Sequence, residues 1–384
     1  PIPVFLTGKD DDHHLYVLPI NVMLKDNADD IKAKVEAYHH APIISKIIQE
    51  AASITQKYTE TPPVFEPRKI SYTDLTSICE TVFIALHGRP GEDGQVQKHL
   101  DALNLPYNGS DVSSSSTTID KFKTNNILRE NGFLVADGAL VQKSSWEANK
   151  ETVLKEIQLM KFPLIAKPSD EGCSSAVKKL KSTEAFEAYA EATFRGNASI
   201  TGDQKKTLSI QEKEEFPAKD YFLVEQFIDH EEAQNFLEIT GGLLTKYQDG
   251  ELVYEIFEPS EALAEGEILS LAEKFLAGEG QNITPARFST DKNLNAHVSE
   301  VVRNEFEKVA KCLNVQGYCR IDAFVRIFED KRVEVVIIEI NSLPGMTPAT
   351  CIYHQAAING YKPFDFIDEI LTFGRQRLRH NLAV

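Results

Sequence analysis

Residues 319–341 read CRIDAFVRIFEDKRVEVVIIEIN, and the alternation within this stretch decides the architecture. Arg320 and Asp322 stand two apart in an otherwise apolar run, so on a strand their side chains share one face. Glu339 and Asn341 repeat that spacing in the second run. The short polar segment EDKR (329–332) joins the two runs as a hairpin turn, which brings Asp322 near Glu339 and Asn341. On the opposite face Ile321, Ala323, Ile338 and Ile340 are expected to be buried. The charged face admits two readings. It is either an exposed strand surface that happens to be charged, or a set of hard oxygen ligands suited to Mg²⁺ bridging nucleotide phosphates.

Outward from the hairpin, strands are predicted at ALVQ, FPLIAKP, YFLVEQFI and FLEITGGLLTKY, with helices near 183–193, 298–313 and 363–380 and a polar, disorder-prone loop near 195–213. Upstream, residues 1–24 read as two short strands, PIPVFLTG and LYVLPINVML, around the polar turn Lys9–His14. Helical periodicity runs through 28–60 (Ile31, Val35, Tyr38, then Ile43, Ile44, Ile47, Ile48 and Ala51). The Pro-rich segment TETPPVFEPRK is a connector. A buried strand TVFIAL (81–86) runs into HGRPGEDG, a helix is expected over Gln95–Leu103, and another over Asp120–Asn131 stops at Gly132. The class is α/β and α+β: a small α/β lobe, then a mixed remainder. The chain opens on Pro1 directly in a strand-like run, as a processed or cut terminus inside a domain would.

At 384 residues the chain has room for two or three lobes, and 42% hydrophobic with 26% charged residues is ordinary for a globular protein. A net charge of −17 argues against nucleic acid as a partner, because phosphate-backbone binding needs clustered Lys and Arg. ATP is not excluded, since one or two local lysines and a divalent cation are enough for it. The five cysteines form no CxxC pair and are odd in number, against a disulfide framework and for a reducing cytoplasm. No apolar run approaches the roughly 18–20 residues of a membrane span, and no signal-peptide pattern opens the chain.

Three further positions carry chemistry. Lys167 ends the apolar run FPLIA and precedes the Gly/Ser loop PSDEGCSSAV, an arrangement able to grasp a phosphate by one charge and backbone N–H groups. It lacks the GxxxxGK[ST] spacing, so it is not a P-loop, and a solvated loop with an incidental lysine would look the same. His87 opens a glycine-rich turn at the end of a buried strand, where ligand sites of α/β folds lie. Lys121 stands at a helix start beside Asp120, where a cation is mildly unfavourable unless an anion binds.

In order along the chain, VFIALHGRPGEDG, LPYNGS, the IDK triplet, FPLIAKPSDEG, LVEQFI, AEKF, GYCRID and EINSLPGMT resemble the D-alanine–D-alanine ligase family from about residue 80 to 372. The resemblance implies an ATP-grasp fold with an N-terminal, truncated parallel α/β lobe. Lobes are expected at 1–118, 119–222 and 223–384. It also implies a two-step reaction, in which the carboxylate of one D-alanine attacks the γ-phosphate of ATP and the acylphosphate is then attacked by the amine of a second. By the same resemblance Lys121 and Lys167 hold the phosphates, Glu225, Phe227 and Ile228 line the adenine pocket, and Glu232 binds the ribose. Asp322, Glu339 and Asn341 bind two Mg²⁺ ions, with Mn²⁺ as an alternative. Arg320 and the backbone N–H of Gly345 stabilise the oxyanion, His87 lies near the first substrate's carboxylate, Lys274 belongs to a closing loop, and Ser174 meets the phosphates. A dipeptide for the cell wall, small-molecule substrates without nucleic acid or membrane, and a homodimer where the N-terminal lobe is whole complete what the family implies.

The sequence departs from the family in four places. Its glycine-rich N-terminal motif, with the glutamate for the first amine, is absent. Cys173 stands where a substrate-side serine is usual, and Phe275 replaces the tyrosine whose hydroxyl bonds that serine. In the family, Phe at that position goes with ligases able to use D-lactate. The turn between Asp322 and Glu339 is also longer than usual. A depsipeptide or other carboxylate–amine ligase, and an idle nucleotide-binding fragment, are therefore the alternatives.

Overall fold

The computed structural model describes the chain apart from residues 10–11, 40, 60–63, 172–175, 213, 264–281, 348–349 and 384. It divides into two compact units, Pro1–Val82 with Lys98–Pro106, and Phe83–Gln97 with Tyr107–Val384. No helix among the described residues is long and apolar enough to cross a membrane.

The first unit is built on β1 (Val4–Lys9), β2 (Asp12–Val17) and β3 (Arg68–Ile70), in that order across the sheet. Val4 lies opposite Val17 and Leu15 opposite Ile70, both pairings antiparallel. The expectation of parallel strands here is thus corrected. Only two residues separate β1 from β2, whereas a parallel pair needs a crossover of about a dozen. The second predicted strand also ends early, because Pro19 has no N–H for a ladder and instead caps a helix, Ile20–Lys25. The periodic segment forms two helices, Ala28–Glu36 and Pro42–Tyr58. Asn27 caps the first through its side chain, and Pro42 opens the second.

The segment TVFIAL is not a strand. Val82 N–H bonds to Pro106 O at 2.8 Å. Ile84 is bonded through both backbone groups by the buried side chain of Asn108, at 2.5 and 3.1 Å. An amide side chain thus takes the place of a neighbouring strand.

The second unit continues with β4 (Leu134–Val135), β5 (Gly138–Gln142), β6 (Leu164–Lys167), β7 (Lys178–Leu180), β8 (Tyr221–Gln226), β9 (Asn235–Gln248), β10 (Glu251–Ile256), β11 (Ser260–Ala262), β12 (Asn282–Ile283), β13 (Tyr318–Ile327) and β14 (Val333–Asn341). One sheet runs β5-β8-β6-β7. The other runs β12-β11-β9-β13-β14-β4, with β10 on β9. All pairings are antiparallel except β14 with β4.

Each sheet has its own core. The helix Lys292–Cys312, capped by Asp291, lays Val298, Val302, Phe306 and Val309 at helical spacing over Ile239, Leu243, Ile321, Ala323 and Val325. It starts six residues before the predicted 298. The helix Thr183–Phe194 buries Phe186 and Tyr189 against Phe222 and Val224. The polar stretch expected to be a loop at 195–213 contains a short helix, Gly202–Thr207, nucleated by a Thr201–Gln204 capping box.

Gly241 on β9 is required by the close approach of Phe306, since a Cβ there would stand 2.4 Å from Phe306 Cε2. The ring is fully buried and has nowhere to retreat. Gly241→Ala is expected to destabilise the fold by about 1–3 kcal/mol through overpacking. Urea unfolding monitored by circular dichroism checks this, with Phe306→Leu in the same chain restoring part of the loss.

Candidate active site

In the β13–β14 hairpin Arg320 lies opposite Asn341, Ile321 opposite Ile340, and Asp322 opposite Glu339, while Ala323 meets Ile337. The juxtaposition expected from the spacing is therefore present. The register shifts between Asp322 and Ala323, leaving Ile338 as an extra residue in β14. This corrects the expected burial. The bulge turns Ile337 into the core beside Ile321, Ala323 and Ile340, whereas Ile338 is half-buried.

Like charges directly opposite on paired strands repel, and each of these carboxylates has its own cation. Arg320 grips Asp322 with both arms, Nε to Oδ1 and Nη2 to Oδ2, each at 3.1 Å. Lys121 Nζ stands 3.6 Å from Glu339 Oε2 and donates to Glu171 O at 2.6 Å. Asn341 Nδ2 donates to Asp322 Oδ2 at 3.4 Å. Burial opposes the charge of Arg320, but Asp322 and then Glu339 outweigh it and hold the guanidinium above its ordinary range. Glu92, Thr118, Lys121, Glu171, Glu339 and Asn341 line one cleft.

The helix Lys121–Glu130 reaches both sheets. Its cap Asp120 accepts from Lys123 N–H and from Ser169 Oγ, and Lys121 N–H donates to Ser169 O, so the loop after β6 is fastened to the helix start. Asn125, four residues after Lys121 and on the same face, donates to Glu225 Oε1 at 2.7 Å. The other oxygen of Glu225 is 2.5 Å from Lys167 Nζ, and both residues are buried. Lys167 and Glu225, expected to hold different parts of a nucleotide, thus meet as an ion pair between neighbouring strands. Phe227 and Ile228 follow β8 half-buried, with Lys179 Nζ 3.7 Å from the Phe227 ring centroid. Glu232 is exposed in the turn before β9.

His87 Nδ1 lies 3.2 Å from Leu343 O and 3.4 Å from Glu92 Oε2. Glu92 is buried, and its carboxylate accepts from Gly88 N–H at 2.7 Å and Leu343 N–H at 3.3 Å. It ties the HGRPGEDG loop to the segment after β14 that carries Gly345. Ser174 and Lys274, with Cys173 and Phe275, lie outside the described residues.

Family models for the D-ala D-ala ligase N-terminus and C-terminus match residues 11–110 and residues 127–212 and 204–372. The chain belongs to the D-alanine–D-alanine ligase family. Members of this family are ATP-dependent ligases. A D-alanine–D-alanine ligase of Phocaeicola vulgatus is 30% identical over 289 residues, 75% of either chain. One of Leptospira interrogans is 26% identical over 302 residues, 78% of this chain and 74% of the relative. The fold is similar to that of a Bacillus anthracis D-alanine–D-alanine ligase solved with ATP, with a TM-score of 0.58 at 21% identity over 90% and 97% of the two chains. It is also similar to the VanG D-Ala:D-Ser ligase of Enterococcus faecalis, with a TM-score of 0.56 at 20% identity over 77% and 73%. The ATP-grasp fold expected from the sequence is the fold of this chain.

Sequence reasoning missed two side chains that organise this ligase-family site. Glu92 was visible only as an acid inside a glycine-rich turn. Arg326 stands four residues after Asp322, on the same face of the predicted strand, but was not singled out. It is buried, with Nε donating to Asp229 O and Nη2 reaching Glu231, each at 2.8 Å, so it fastens the turn that carries Glu232.

Removing one member of a buried ion pair leaves the other charge without its counterion. Lys167→Met is expected to cost about 3–5 kcal/mol of stability, with most of it recovered in Lys167→Met/Glu225→Gln. Equilibrium urea unfolding of the two variants checks the difference.

Proposed function

We propose that this protein joins two D-alanine molecules with ATP, and that the Asp322–Glu339 pair facing Lys121 is where the nucleotide's phosphates are held. The division expected near residues 119 and 223 puts the lysines on one jaw and the hairpin on the other. A carboxylate oxygen of the first D-alanine attacks the γ-phosphorus, and the bond to the β-γ bridging oxygen breaks, releasing ADP. The amine of the second D-alanine then attacks the acyl carbon. The new C–N bond forms as inorganic phosphate leaves with the electron pair, and the amine loses a proton to solvent.

Each step spreads negative charge over oxygen, so fixed cations aimed at those oxygens supply most of the catalysis. Lys121 and Lys167 orient the phosphates. Arg320, gripped by Asp322, faces the oxyanion formed at the acyl carbon, with Gly345 N–H beside it. His87, held by Leu343 and Glu92, positions the first carboxylate. Phe227 and Ile228 bracket the adenine, and Glu232 takes the ribose. Asp322, Glu339 and Asn341 offer only hard oxygen ligands, a set that fits Mg²⁺ or Mn²⁺. Bound there, such ions neutralise charge on the phosphate oxygens.

Phe275 supports a second reading, in which D-lactate serves as nucleophile and the product is an ester. With ATP, Mg²⁺ and D-alanine the chain is expected to release ADP and form D-alanyl-D-alanine, identified by mass. A D-lactate arm yielding the mixed ester would favour the second reading, and neither product would sink both. Arg320→Lys keeps a charge but loses the bidentate grip on Asp322. Its turnover is expected to fall by about a hundredfold or more, measured in the same ADP-release assay.

A further inference from the structure

Asp170 sits in the loop after β6 and is buried. Its carboxylate gathers donors from two other segments. Arg89 Nη2 reaches Oδ2 at 2.7 Å, while its Nε donates to the Asp170 carbonyl at 3.4 Å. Lys219 Nζ is 3.3 Å from Oδ1, and Tyr221 OH donates to Oδ2 at 3.2 Å. Burial first, and then Asp170, push the Tyr221 hydroxyl up to about 12, so it remains a donor at neutral pH. Lys219 also pairs with Glu171.

What this hub connects gives it a role. Arg89 stands two residues after His87 in the HGRPGEDG loop. On the other side, Glu171 follows Asp170 directly, and its carbonyl accepts Lys121 Nζ, the same ammonium that faces Glu339. One continuous path of short contacts therefore runs from the His87 loop through Arg89, Asp170 and Glu171 to Lys121. A planar guanidinium bonding one residue through two of its nitrogens fixes orientation as well as distance.

We propose that the Arg89–Asp170 pair is a positioning link for the ligase reaction, holding the loop of the first substrate in register with the residues that hold the phosphates. Neither residue touches a reacting atom. The link sets the separation between substrate carboxylate and γ-phosphate, and it rests on the ligase reading for its substrates. Misplacement by about an ångström at a distance from the chemistry costs on the order of a hundredfold in rate.

Arg89→Ala and Asp170→Asn are accordingly expected to lower kcat by about tenfold to a hundredfold, with KM for ATP changed less than about threefold because the nucleotide's own contacts remain. Arg89→Lys, which keeps the charge without the two-nitrogen geometry, should recover only part. The double variant should be no worse than the poorer single one, as expected of two ends of one link. In the protein without ligands, amide hydrogen exchange of peptides covering 87–94 and 168–171 should rise together in Arg89→Ala. A kcat within twofold of wild type, or a loss confined to KM for ATP, would overturn the proposal, as would unchanged exchange in 168–171. A wild-type chain that makes no product overturns the ligase reading by itself. Coupled exchange would then still support the link, and uncoupled exchange would remove it.

Discussion

Two carboxylates set directly across paired strands repel each other, and the β13–β14 hairpin places Asp322 against Glu339 in that way. Much of the second unit can be understood as the accommodation of this pair. Arg320 compensates Asp322 from the same strand. Lys121 compensates Glu339 from another element, so the helix Lys121–Glu130 must be held against the hairpin. One turn later that helix presents Asn125 to Glu225, which pairs with Lys167. A repulsion within one hairpin is thereby accommodated by a helix that reaches both sheets, and with it by the placement of Lys121 and Lys167.

Burying so many charges is a poor route to stability. Taking ions out of water costs several kcal/mol each, and well-packed apolar side chains of similar volume would do as well or better. The Lys167–Glu225 and Arg320–Asp322 pairs make sense instead as preorganisation. Their positive groups are held in fixed orientation by their partners, so under the proposed roles little reorganisation is needed at the moment of reaction. Stability comes from elsewhere, from Phe306 and Val302 over β9 and β13, and from Phe186 and Tyr189 over β8.

The hairpin was legible because two short-range signals agreed: the two-residue spacing of Arg320 with Asp322 and of Glu339 with Asn341, and a polar turn too short for any crossover. The bulge at Ile338 was not, since within the unbroken apolar run VVII (335–338) no residue type marks which one is extra. The parallel direction expected in the first unit came from the family resemblance and not from the residues, whose polar turn Lys9–His14 is too short for a crossover and is entered by β1 and β2 from both sides. TVFIAL has the composition of a strand, and only the distant Asn108 shows why it has no ladder. The same distance hid Glu92, Asp170 and Arg326. Their partners lie 81 residues away for Asp170 with Arg89, and 251 for Glu92 with Leu343. Motifs name residues one at a time, and so Lys167 and Glu225 were both singled out without their pairing being foreseen.

In the proposed reaction the hairpin carboxylates Asp322 and Glu339, with Lys121 beside Glu339, form the seat of the nucleotide's phosphates and their cation. Calorimetric titration of a non-hydrolysable ATP analogue, with and without Mg²⁺, into wild type and Glu339→Gln tests it most directly. Mg²⁺ is expected to tighten binding to wild type by about tenfold or more, and Glu339→Gln to lose most of that gain. An equal effect of Mg²⁺ on both proteins would contradict it.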